Sequence, residues 1–291
     1  MTGQNEDPKE ALRTKFEGPN RDRRGAPPNP TLGHKLVDLK EKAKDAKISS
    51  VLNRVFWIEV SNHDKISRGA AFALDVQNKR YLVTASHVIK DMGEDNFIFI
   101  FQNKNWTRLK VKVVGKGDAS KPEDDIAVLA ADIRLPVADD IPFNTSVVDI
   151  FWGQHVYFCG FPHGLHTDVD IAEGHPIAMT KGAVLSGMYT DSGTSSERER
   201  GLFILDGINN VGFSGGPAVF QSEENRSNDF QVFGVVRGSL RQKVKIKRND
   251  KEIDDLTGEE NTGLIHCPSI MRAVDMIEAK PIGFEISRSI K

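Results

Sequence analysis

Ser214 stands in the run GFSGGP, between Gly212 and Pro217. Glycine carries no Cβ and reaches φ > 0, so a turn of this make-up leaves the hydroxyl and the neighbouring backbone N–H groups open to whatever docks there. Two readings follow from these residues alone: a bare tight turn, or a nucleophile in a nest of amide hydrogens. A serine hydroxyl becomes a nucleophile when a base takes its proton and a third group fixes the base's tautomer. The chain supplies both. His87 follows a strand-like run in YLVTASHVIKD, and Asp125 sits at the mouth of another in PEDDIAVLAAD, with Asp124 beside it as a competing acid. The chemistry such a set performs is acyl transfer.

These side chains are far apart in the chain, so the elements between them must gather them. After Ser50 the sequence becomes a succession of short β-rich runs (RYLVTA, FIFIF, LKVKVV, IAVLA, HVYFCG, LFILD, QVFGVV) broken by Gly, Asn and Asp. Leu109, Val111 and Val113 alternate with Lys110 and Lys112, the period of two of a half-exposed strand. The pattern predicts an all-β protein. One helix is expected to close it, from Pro268 to Ala279, with proline at its start and Ile270, Met271, Val274 and Ile277 at helical spacing. Residues 1–47 read differently. The first 33 or so are rich in Pro, Gly, Asn and charge and are expected to be disordered; His34–Lys47 suits one short helix, and this arm is the expected contact for a protein partner or regulator.

Composition narrows the function classes. In 291 residues, 39 Lys and Arg face 41 Asp and Glu, a net charge of −2 that supplies no field for nucleic acid or an anionic membrane. The N-terminus lacks the apolar core of a secretory signal and no run approaches the roughly 18 apolar residues of a membrane span, so the expected location is cytoplasmic. Cys159 and Cys267 lie in apolar stretches and read as free buried thiols. In HGLHTDVDIAEGH, the spacing of His163, His166, Asp168, Asp170 and His175 fits no metal site. RQKVKIKRNDKEIDD reads as an exposed hairpin with cross-strand ion pairs rather than a phosphate groove. No cofactor or metal is expected.

The blocks TASHV, DDIAVL and GFSGGP, in the order His, Asp, Ser, resemble the three signature blocks of trypsin-like serine proteases. SRGAAFAL, VYFCGFPHG, GAVLSG, LDGINNVGFSGGP and NTGLIHCPSIMRAVDMI resemble further blocks of the HtrA type, so the likeness covers about residues 50–280. It implies two six-stranded antiparallel β-barrels with a short C-terminal helix: a peptidase domain over 48–285, the first barrel about 50–135 and the second about 150–275. It also implies roles: Ser214 as nucleophile, His87 as general base, Asp125 as its orienting acid, and the N–H groups of Gly212 and Ser214 as oxyanion hole. The strand FGVVRGS becomes a wall of the cleft, with Val236, Arg237 and Gly238 offering backbone to an extended polypeptide substrate. Asp206 reads as structural, which leaves a small or medium apolar side chain as the expected P1 residue. The pattern departs in two places. Phe213 replaces the Asn or Asp that the family carries before the serine, so no zymogen step is expected, and with so short a stretch after the closing helix no PDZ domain is expected. The alternative function is a catalytically silent trypsin-like fold acting as a binding or sensor module.

Overall fold

A computed structural model of the chain describes residues 48–62, 65–137, 143–172, 175–189, 201–222, 230–248 and 251–286. The expected N-terminal arm lies outside them. The described chain begins with a single helical turn, α1 (Ser49–Leu52), and continues through β1 (Val55–Asn62), β2 (Lys65–Val76), β3 (Lys79–Thr84), β4 (Phe97–Gln102), β5 (Asn105–Lys116) and β6 (Ala127–Ala131). These six run antiparallel in the order β3-β2-β1-β4-β5-β6, and β3 pairs with β6 through Leu82↔Leu129 and Thr84↔Ala127, which closes the barrel. The predicted alternation in β5 is present: Leu109 and Val111 are buried, Lys110 and Lys112 exposed. Hairpins β2–β3 and β4–β5 turn on two residues each, Gln77-Asn78 and Asn103-Lys104, all four with positive φ. That geometry matches the natural twist of paired strands.

The second half contains β7 (His155–Gly160), β10 (Met179–Tyr189), β11 (Leu202–Asp206), β12 (Pro217–Gln221), β13 (Phe230–Val235), β14 (Gly238–Arg248) and β15 (Lys251–Pro268), with a small separate pair, β8 (Thr167–Ala172) and β9 (His175–Ile177). The order is β13-β12-β7-β10-β11-β15-β14. Six of these strands are ringed as the resemblance implies, by a bridge between Gly234 of β13 and Ser269 just after β15, and β14 pairs outside them as a seventh strand on β15. The strand register of β15 against β11 ends at Leu202↔Pro268. Strands β14 and β15 form a long hairpin in which Arg241 meets Glu259 at 3.4 Å, a cross-strand ion pair.

The closing helix, α2, spans Met271–Ala279 and starts later than the sequence suggested. Pro268 is still paired with Leu202, the Ser269 N–H donates to the Gly201 carbonyl, and the Ser269 hydroxyl accepts the Met271 N–H at 3.3 Å. Ser269, the residue before the N-cap Ile270, thus satisfies the first N–H of the helix that proline was expected to start. A last short strand, β16 (Phe284–Glu285), pairs with the start of β3.

One core fills the first barrel around Ile58, Leu82, Leu129 and Val88. A larger one runs from the outer face of that barrel (Phe72, Val83, Val128) through the second sheet (Phe158, Phe213, Val235) to Ala273 and Ile277 of α2. Burial of this shared apolar surface joins the two sheets. At the end of β2, Asp75 lies between Arg54, 3.0 Å away, and Arg80, 2.8 Å away, all three side chains buried. Burial pushes the Asp75 carboxyl up, but the hydrogen bonds and charges of the two guanidinium groups outweigh it and hold the acid below its ordinary range.

Candidate active site

His87 sits on the turn that leaves β3. Two buried hydroxyls fix that turn: Thr84 Oγ1 donates to the Ala70 carbonyl at 2.8 Å, and Ser86 Oγ to the Ile126 carbonyl at 2.7 Å. The second bond ties the histidine turn to the start of the strand that bears the acid. Asp125 follows a short 3-10 turn, Pro122–Asp124, and its side chain is 0% exposed. One carboxylate oxygen, Oδ1, accepts the His87 backbone N–H at 2.9 Å; the other, Oδ2, lies 2.6 Å from His87 Nδ1. A carboxylate only accepts, so this contact places the ring proton on Nδ1 and leaves Nε2 with its lone pair free to act as a base. Asp124 is occupied elsewhere, accepting the Asp118 N–H at 2.9 Å and meeting Arg272 at 3.4 Å.

Ser214 lies between β11 and β12, on a turn whose glycines have specific causes. Gly212 has φ +109°, and a Cβ there would fall 2.0 Å from the Phe161 carbonyl oxygen; Gly215 has φ +86°, and its Cβ would fall 2.1 Å from the Ala70 carbonyl oxygen. No other residue fits either place without moving backbone. Phe213, the departure from the family pattern, is fully buried and packs edge-on against Phe158 with ring centroids 4.8 Å apart. The Ser214 carbonyl accepts the Ala70 N–H at 2.8 Å, which fastens the serine turn to the first barrel. Among the described residues the N–H groups of Gly212 and Ser214 donate to no other group. The serine hydroxyl does not point at His87: it donates to the Arg237 carbonyl at 2.8 Å.

Of the three residues expected to meet substrate, Val236 has both backbone groups engaged with the serine turn, its N–H with the Gly216 carbonyl at 2.8 Å and its carbonyl with the Gly215 N–H at 2.7 Å. Gly238 pairs with His266 of β15. Arg237 touches both the serine and the acid, since its Nε stands 3.1 Å from Asp125 Oδ2. Sequence reasoning placed Arg237 on this wall but gave no signal that its side chain would turn back onto the acid. His266, which it passed over, lies beside Arg237 with a buried Nδ1 that has no partner among the described residues. Burial, and then the Arg237 charge, push the His266 imidazole below its usual range against an opposing pull from Glu123. Asp206 is exposed on β11, Ile208 is exposed beyond it, and Val236 is fully buried.

Cys159 and Cys267 are buried free thiols, and burial pushes Cys159 up to about 12. Among the described residues no group of three or more His, Cys, Asp or Glu is gathered to hold a metal, and no helix is long and apolar enough to cross a membrane.

The sequence matches the trypsin-like peptidase domain family over residues 69–226, more than half of the chain. The chain belongs to that family, and it is a serine endopeptidase by class. Its fold is similar to that of the Rv3671c protease from M. tuberculosis in its active form: 17% identity, 90% of this chain and 91% of that one covered, TM-score 0.52. The HtrA-type protease AlgW with a tripeptide also aligns (17% identity, 80% of this chain, 62% of that one, TM-score 0.48). So does the serine endoprotease from Yersinia pestis, at 15% identity over 80% of this chain and 64% of that one, with TM-score 0.48. No curated protein sequence matches the chain.

Proposed function

We propose that the chain hydrolyses peptide bonds through a Ser214–His87–Asp125 triad and an acyl-enzyme. The observation that carries this reading is the double contact of one fully buried carboxylate with His87, to the backbone N–H at 2.9 Å and to Nδ1 at 2.6 Å. A surface histidine has no need of that arrangement; a general base that must become an imidazolium does. In the reaction, Ser214 Oγ adds to the scissile carbonyl carbon while His87 Nε2 takes the hydroxyl proton. The oxyanion forms toward the N–H groups of Gly212 and Ser214, donors that typically lower such a barrier by about 3–4 kcal/mol each. His87 then passes its proton to the leaving amine, the C–N bond breaks, and an ester to Ser214 remains. Water, deprotonated by the same imidazole, releases the acid and restores the hydroxyl.

The Ser214 bond to the Arg237 carbonyl favours a second reading, a silent fold that binds polypeptide without cutting it. Hydrogen bonds in unliganded catalytic sites often form only once substrate is in place, and rotation about the serine Cα–Cβ bond changes the hydroxyl's partner. A fluorophosphonate probe separates the two readings. Wild type is expected to be labelled and Ser214→Ala not; equal labelling of both, or none of wild type across pH and peptide additions, overturns the triad.

A further inference from the structure

We infer, resting on the triad proposed above, that Arg237 is a positioning residue for its acid: the guanidinium is the resident counter-charge of Asp125, and it sets how strongly that carboxylate supports a proton on His87. The juxtaposition has three parts. Asp125 is entirely out of water, with one oxygen on the His87 backbone and the other between the imidazole and Arg237. Arg237 is only partly exposed, and it is fastened at two further points: an Nη2–H donates to the Ala119 carbonyl at 3.2 Å, and its backbone N–H to the His266 carbonyl at 3.0 Å. Its Nε, 3.1 Å from Oδ2, makes no aligned hydrogen bond, so the contact is charge against charge. A side chain serving only to satisfy the carboxylate would turn its N–H along that line.

The physical consequence follows from sign. A buried carboxylate stabilises the imidazolium beside it, and a cation on the far side of the same oxygen offsets part of that stabilisation while repelling the imidazolium directly. Both effects favour the neutral ring, the form that accepts the serine proton. Other charged groups around this pair have partners of their own, Lys116 Nζ donating to the Ile89 carbonyl at 3.5 Å. Asp124 is turned toward Asp118 and Arg272, Glu123 acts on His266, and His266 has its own proton affinity lowered by burial and then by the Arg237 charge. Among these neighbours Arg237 is the one placed on the carboxylate. Through its carbonyl the same residue also holds the Ser214 hydroxyl, so one position in the chain grips both ends of the triad.

The test compares wild type, Arg237→Met, which keeps length without charge, and Arg237→Lys, which keeps charge. The kinetic readout is the rate of fluorophosphonate acylation against pH. Arg237→Met is expected to lose about tenfold at pH 6 while staying within about threefold of wild type at pH 9, because an imidazole freed of the cation holds its proton to higher pH. Arg237→Lys is expected to follow wild type. The second readout needs no catalysis: the low-field proton NMR resonance of the His87 Nδ1–H, assigned with His87→Ala, is expected to move downfield in Arg237→Met and to return in Arg237→Lys. A fold control by thermal melting accompanies both. If the resonance and the pH profile are the same in a folded Arg237→Met, the counter-charge role is overturned while the triad stands. If wild type is never labelled but the resonance moves, the counter-charge role stands and the hydrolytic reading fails.

Discussion

Replacing Asp125 by Asn tests the site with the least change of shape. The carboxylate presents two acceptors to two N–H groups, the His87 backbone at 2.9 Å and Nδ1 at 2.6 Å. An amide has one acceptor and one donor. If its oxygen stays on the backbone N–H, its NH2 faces Nδ1, and the ring must move its proton to Nε2 so that Nδ1 can accept. The nitrogen that should receive the serine proton is then already protonated. If the amide turns the other way, two donors meet at the buried backbone contact, which costs roughly 1–3 kcal/mol. The tautomer change is the cheaper escape, and it removes the base outright. For this exchange in a Ser-His-Asp triad the loss is about 10⁴-fold in rate, equivalent to about 5 kcal/mol of barrier. The assay is the second-order rate of fluorophosphonate acylation, read with thermal melting to show that the variant is folded. A folded Asp125→Asn protein that loses less than tenfold would refute the idea that this carboxylate sets the state of the base.

Other expectations are independent of the reaction. Phe213→Ala removes a fully buried ring from its seat against Phe158 and should cost about 3–5 kcal/mol, seen as a lower urea midpoint. Asp75→Asn leaves two buried guanidinium groups without their carboxylate and should cost about 3–5 kcal/mol. Because the Asp75 acid is held low in the folded chain, its contribution is complete above about pH 4, the ordinary carboxylate value, and fades as pH falls from there through the lower folded one; the variant's stability should be flatter over that range. The thiols of Cys159 and Cys267 should not react with Ellman's reagent at pH 8 until the protein is unfolded, since both are buried and the first is pushed up to about 12.

Much of this architecture can be read from the chain because its rules are local. Alternation in LKVKVV marks a strand with one wet face, and the glycines of GFSGGP mark a turn that admits no Cβ. The nearness of His87 to Asp125 was legible only through the likeness of TASHV and DDIAVL to a known pattern, since nothing in 38 positions of sequence separation states a contact. Two features were not legible at all. The start of α2 depends on Pro268 keeping its partner Leu202 on a strand far away in sequence. The turn of Arg237 onto Asp125 is a rotamer choice on a long flexible side chain, made by whatever charge lies within its reach.

The nucleophile's turn is seated by hydrocarbon, with Phe213 fully buried against Phe158. An ionic latch at that position would slacken as ionic strength rose, whereas an aromatic peg is not screened by dissolved salt and loosens instead in the cold, where apolar association weakens. Chilling, rather than brine, is the condition under which this loop should first lose its shape.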